Sequence, residues 1–188
     1  MLVLAHHSFR FCVLLTFIGG LLLTACNPDP EPEPEPEPTQ SYAGLIINEF
    51  LALNDSCCAD PQGDFDDWVE LYNSSTEAID IGGIWMTDTP GDASPYQIPS
   101  TNSTTTTIPS GGYLIIWWDD DQMSGPLHIS KKLSASGESI VLLEPDGITT
   151  IDSYAFGQQT SDVSTGRSAA NREQWVTFET PTPGEANQ

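Results

Sequence analysis

Apolar residues come in short bursts along this chain, each closed off by turn-forming residues. Gly44 to Leu53 is a β-rich run, and Trp68 to Tyr72 alternates apolar with polar positions. Tyr113–Trp118, Ser139–Leu143 and Ile148–Phe156 are further apolar segments of strand length. Runs of this kind predict strands. Gly82-Gly83, Thr89-Pro90-Gly91, Pro109 to Gly112, Asp146-Gly147 and Pro183-Gly184 mark turns between them. No window of useful length carries a capped apolar stripe at the helical period. The spacing therefore predicts an all-β domain, an antiparallel sandwich or a barrel. Thr101 to Thr107 is polar and is expected to be a surface loop. The segment 42–188 is long enough to bury a sizeable core.

The first residues carry a different pattern. His6, His7 and Arg10 precede a 13-residue apolar run from Phe11 to Leu23. That run is shorter than the roughly 20 residues a membrane-spanning helix needs, and reads as an export signal. It ends in Leu23-Thr24-Ala25-Cys26, which resembles the lipobox of bacterial lipoproteins. On that reading 1–25 is removed and Cys26 carries the lipid; several acyl chains anchor stably where one does not. The competing readings are an ordinary signal peptide with a chance cysteine, or a membrane anchor. Asn27 stands where an Asp would favour inner-membrane retention, so the expected address is the outer membrane or cell surface of a bacterium.

Residues 28–38 alternate proline with an acid, Pro28-Asp29-Pro30 through to Glu37-Pro38. Every residue before a proline is pushed to extended angles and no proline can donate a backbone bond. The segment 26–41 is expected to be a stalk of polyproline II character, with on the order of 35 Å of reach. The folded domain follows, over 42–188.

Charge narrows the functions. The chain has 27 acidic residues against 5 basic ones, a net charge of −22. Nucleic acid is excluded as a partner, because its phosphates require a basic footprint. Catalytic signatures are missing as well. Beyond the signal segment the only imidazole is His128, and no Gly-x-Ser-x-Gly elbow or phosphate-cradling glycine loop occurs. The chain has 5 Trp. Neighbours in a strand point to opposite faces, so Trp117 and Trp118 leave two possibilities. One indole is exposed to stack on a sugar, or one packs in the core and the other under a loop.

Taken in order, the segments resemble the lamin tail domain family. Leu45–Phe50 is similar to its opening strand, and Asp64–Asn73 to its second and most recognisable one. Ile79–Asp88, Ile108–Ile116, Lys132–Leu142, Asp162–Arg167 and the closing Thr182–Asn187 follow in order. The resemblance implies an immunoglobulin-like antiparallel β-sandwich and a secreted or surface interaction module without catalytic activity. The chain thus reads as a bacterial lipoprotein member of that family, anchored by its lipid and binding an unidentified protein or glycan. A carbohydrate-binding sandwich is the first alternative, and a small hydrolase the second.

Three sets of residues stand out within the domain. Glu49 and Glu70 lie among apolar neighbours in strands, and a buried carboxylate needs a partner; Arg167 is expected to bridge one of them. Cys57 and Cys58 are adjacent in an oxidising compartment. They either close on each other, stay free, or bridge to another molecule. Asp60, Asp64, Asp66 and Asp67 crowd a glycine-bearing loop. Calcium, which takes six to eight oxygen ligands in irregular geometry, would suit it, though the spacing is not that of an EF-hand. The other reading is a solvated acidic surface. Asp88, Asp92 and Asp119 to Asp121 could add oxygens if their turns meet at the same end.

Overall fold

A computed structural model describes residues 40–188, which form one compact unit. The export segment, Cys26 and the proline stalk to Pro38 lie outside the described residues.

The parity of apolar positions in the first strand, β1 (Leu45–Leu51), governs how the larger sheet is built. Leu45 and Ile47 enter the core, and so do Phe50 and Ala52. The switch from odd to even positions is a β-bulge at Asn48: Ile47 pairs with Leu71, yet Glu49 pairs with Glu70. The second strand, β2 (Asp67–Asn73), keeps strict alternation, with Val69 and Leu71 in the core.

Ten shorter or later strands follow: β3 (Ile79–Asp80), β4 (Trp85–Thr87), β5 (Tyr96–Gln97), β6 (Thr107–Ile108), β7 (Tyr113–Trp118), β8 (His128–Ile129), β9 (Glu138–Leu143), β10 (Thr150–Phe156), β11 (Ser164–Arg167) and β12 (Trp175–Phe178). A six-stranded sheet has the order β12-β11-β1-β2-β7-β8, and a four-stranded sheet the order β10-β9-β4-β5. Strands β3 and β6 pair separately. All pairings are antiparallel except β7 with β8, which run parallel through Trp117 and Trp118.

The two main sheets face each other across one core. Leu45, Ile47, Phe50, Val69, Leu71 and Ile116 come from one side, and Met86, Ile140, Leu142 and Phe156 from the other. The Thr-rich segment is not simply a surface loop. Ser103–Thr106 forms one turn of helix, and Thr106 is buried with its hydroxyl donating to Asp80. The outer face of the six-stranded sheet is also covered. Leu51, Trp68 and Trp117 form a second small cluster there, under Cys57 and Cys58.

Candidate functional site

Glu49 and Glu70 lie side by side on the outer face of β1 and β2, and both are fully buried. Two carboxylates tolerate this only if donors reach them. The donors come from residues 182–187, joined by Asn48 and Ser164. Glu49 Oε1 accepts from the Thr182 N–H at 3.0 Å and from the Ser164 hydroxyl; Oε2 accepts from Thr182 Oγ1 at 2.6 Å. Glu70 Oε1 accepts from Asn48 Nδ2 at 2.8 Å, and Oε2 from the Gly184 N–H. Asn48 Nδ2 donates again to Asn187 Oδ1 at 2.9 Å. Asn187 Nδ2 in turn donates to the carbonyl oxygens of Asn48 and Arg167, at 3.2 and 2.8 Å. The segment 182–187 is thereby strapped over the sheet. Burial pushes the Glu70 carboxyl up to about 7, and Glu49 adds to the rise; the Gly184 N–H and Asn48 amide pull against it.

Arg167 does not bridge either glutamate. Its Nη2 lies 2.8 Å from Asp152 Oδ2 on β10. Gly166 is the residue opposite Glu49, so Arg167 projects from the other face of β11. The pair serves the bulge. Asp152 Oδ2 accepts from the Ile47 N–H at 2.9 Å, and Arg167 Nε donates to the Ile47 carbonyl at 2.8 Å. Both backbone groups of Ile47 are thus satisfied by one ion pair between the sheets. The guanidinium also lies over the Trp175 ring, 4.8 Å from its centroid.

The four aspartates expected to hold calcium are not brought together as a set. Asp60 is buried, and its Oδ1 accepts from the N–H groups of Gln62, Gly63 and Asp64 at 2.9, 2.7 and 2.8 Å, capping its own turn. Asp67 turns away to accept from the Asn54 N–H at 3.1 Å, and burial pushes its carboxyl up to about 6. Asp60, Asp64 and Asp66 instead meet Asp119 and Asp121 around a pocket of about 330 Å³, walled by Phe65 and Ser124. Burial raises the Asp66 carboxyl, and Asp119, Asp60 and Asp64 raise it further. Asp88 and Asp92 are not at this pocket; they hold Lys131 Nζ, at 3.7 and 2.6 Å. Among the described residues, no three His, Cys, Asp or Glu side chains are arranged to hold a metal ion.

Cys57 and Cys58 are bonded to each other and pack against the Leu51, Trp68 and Trp117 cluster. Their loop is fastened from both ends. The Asp162 carboxylate accepts from the N–H groups of Asp55 and Ser56, both at 2.9 Å, and Asn54 Nδ2 donates to the Cys58 and Asp66 carbonyls at 2.8 Å each. Trp117 is 7% exposed and Trp118 1%, so neither offers an indole face to a sugar. Trp118 fills the sandwich and Trp117 lies under the loop. His128 is also buried, with Nδ1 against the Asp119 carboxylate.

Sequence reasoning missed Asn48, Asp152, Thr182 and Asn187. Asn48 gave one signal, since it sits where the apolar parity of β1 switches. The partner of Arg167 lay in a strand far along the chain and left no local trace.

Two facing sheets around a single core, the larger one sealed on its outer side by the chain's last residues, make this an immunoglobulin-like β-sandwich. The chain belongs to the lamin tail domain family, whose family model matches residues 38–158, more than half of it. The match ends before β11 and does not reach the strap over Glu49 and Glu70. No curated protein matches the chain.

Proposed function

We propose that this protein is a non-enzymatic interaction module, held at the bacterial envelope by lipid on Cys26 and spaced from the membrane by the acidic proline stalk. The observation that carries the non-enzymatic part is how the buried polar groups are used. Glu49, Glu70, Asp152 and Arg167 all spend their hydrogen bonds on the strap or the bulge. A general acid or base needs a free face toward a substrate, and Glu49 and Glu70, both fully buried, have none. Lipid attachment is supported by the lipobox, and the outer-membrane or surface address by Asn27 and the acids that follow.

Labelled palmitate should enter the wild-type protein but not Cys26→Ser, and that variant should leave the membrane fraction. Unchanged retention would mean a different anchor. Crosslinking the wild-type protein in its native envelope, followed by capture, should return a saturable protein partner. Capture that is no greater than with an unrelated acidic lipoprotein would remove the interaction reading.

A further inference from the structure

Strand β7 is only partly covered on the side away from β2. Its neighbour there, β8, pairs with Trp117 and Trp118 alone. In an antiparallel ladder, alternate residues turn their backbone groups to alternate sides. The Trp117 N–H points away from β2, donating to the Leu127 carbonyl at 2.8 Å. By the same alternation, the N–H and C=O groups of Tyr113 and Ile115 point to that side, where no strand among the described residues meets them.

An apolar groove of about 300 Å³ follows this edge, lined by Pro61, Tyr113, Leu114, Ile115, Trp117 and Leu127. Leu114 faces the core side of the sheet and Ile115 the outer side. Leu127, beside β8, brings the groove to the edge, and Gly184 of the strap bounds it on the outer face. At its Trp117 end the groove adjoins the acidic pocket. Pro61 lines one and Asp60 the other, and Gln62 Nε2 donates to the Ser124 carbonyl at 3.4 Å between the two loops.

We propose that the free edge of β7 takes up an extended peptide as an added strand, with a lysine or arginine of that peptide reaching the acidic pocket. This rests on the interaction-module reading and gives the partner its chemistry. Backbone bonds to Tyr113 and Ile115 supply register, and side chains alternating along the peptide lie against Ile115 and Trp117. Charge selects the occupant. Asp64, Asp66, Asp119 and Asp121 attract a cation, and Phe65, 49% exposed, gives its stem or its charge an aromatic wall. A second copy of this chain would bring its own −22 charge to the same pocket and be repelled. A glycan would leave the apolar walls of the groove unmatched.

The test uses the full chain in mild detergent and a dye-labelled, end-blocked peptide of alternating lysine and valine, followed by fluorescence anisotropy. Saturable binding is expected, weakening as salt rises. The same peptide N-methylated on alternate residues, so that one backbone edge cannot donate, should bind about tenfold more weakly. That comparison leaves the protein unchanged, so misfolding cannot account for it. Replacing lysine by glutamine in the peptide, or Asp64→Asn with Asp121→Asn in the protein, should weaken binding and flatten its salt dependence. Equal affinity for the methylated and unmethylated peptides, or no saturable binding, overturns the proposal. If that happens while crosslinking in the envelope still captures a saturable partner, the interaction reading stands and this edge is not its surface.

Discussion

At the scale of single residues, Glu70 is the most consequential side chain of the domain. Its carboxyl titrates at about 7 when folded, against 4.5 as the ordinary value, chiefly because burial disfavours the charge. The folded state therefore binds this proton more tightly than the unfolded chain does. The stability that comes with it is complete below pH 4.5 and lost as pH rises through 7, on the order of 3 kcal/mol in all. Asp67, raised to about 6, adds to the slope with the same sign. Urea unfolding between pH 5 and pH 8 should show wild-type stability falling across that range. Glu70→Gln should be less stable at pH 5, because its amide nitrogen meets a donor from either Asn48 or Gly184. Its slope against pH should nevertheless be shallower. A slope equal to that of wild type would mean that Glu70 is already ionised throughout.

At the scale of elements, the strap across β1 and β2 depends on a close approach at β11. A Cβ on Gly166 would lie 2.6 Å from Asn187 Nδ2 and 2.9 Å from the Asn48 carbonyl oxygen. Gly166→Ala must therefore lift Asn187 off the sheet, at a cost of roughly 1–3 kcal/mol. Gly157→Ala is the control, since nothing lies within 4 Å of its Cβ. Hydrogen exchange at the Gly184 amide should accelerate in the first variant and not in the second. Unaltered exchange with Gly166→Ala would show that the strap is held independently of Asn187. The strands legible beforehand were those with enough residues to display a period: β1, β2, β7, β9 and β10. Strands β3, β5, β6 and β8 have two residues each, too few for alternation to register. Strand β11 reads Ser-Thr-Gly-Arg, a polar string. It is buried because the strap covers it, a tertiary cause that no local pattern announces. Arg167 meets Asp152 and not a glutamate for a related reason. A carboxylate among apolar neighbours predicts a cationic partner, but the register of β11 on the bulged β1 sets Gly166, not Arg167, opposite Glu49.

For the whole molecule, charge imbalance is the dominant physical fact. The chain's net charge is −22 and most of its acids lie in the folded domain, so the compact state repels itself, and the Asp60 to Asp66 loop facing Asp119 and Asp121 concentrates that repulsion at one end. The thermal midpoint should rise as sodium chloride shortens the screening length toward about 10 Å near 0.1 M. Asp64→Asn with Asp121→Asn should raise it in low salt and matter less in high salt. Calcium and magnesium at equal concentration are expected to act alike, because Asp60 Oδ1 is taken up by its turn and Asp67 is turned to Asn54. A rise specific to calcium would show that the loop regroups around the ion, and Asp64→Asn with Asp66→Asn should then abolish it.

The strap also sets the order in which the domain can be completed during synthesis. Asn48 and Asn187 are 139 positions apart, and Glu49 and Thr182 are 133 apart. Until the last of these residues has emerged, β1 and β2 pair with two carboxylates still facing water. Every shorter nascent chain lacks the Thr182 and Gly184 donors, so the outer side of the larger sheet stays unfinished. Contacts this distant form late and slow the final folding step. If the chain is exported as we propose, it gains from this delay, because a lock that needs the last residues leaves everything before them threadable.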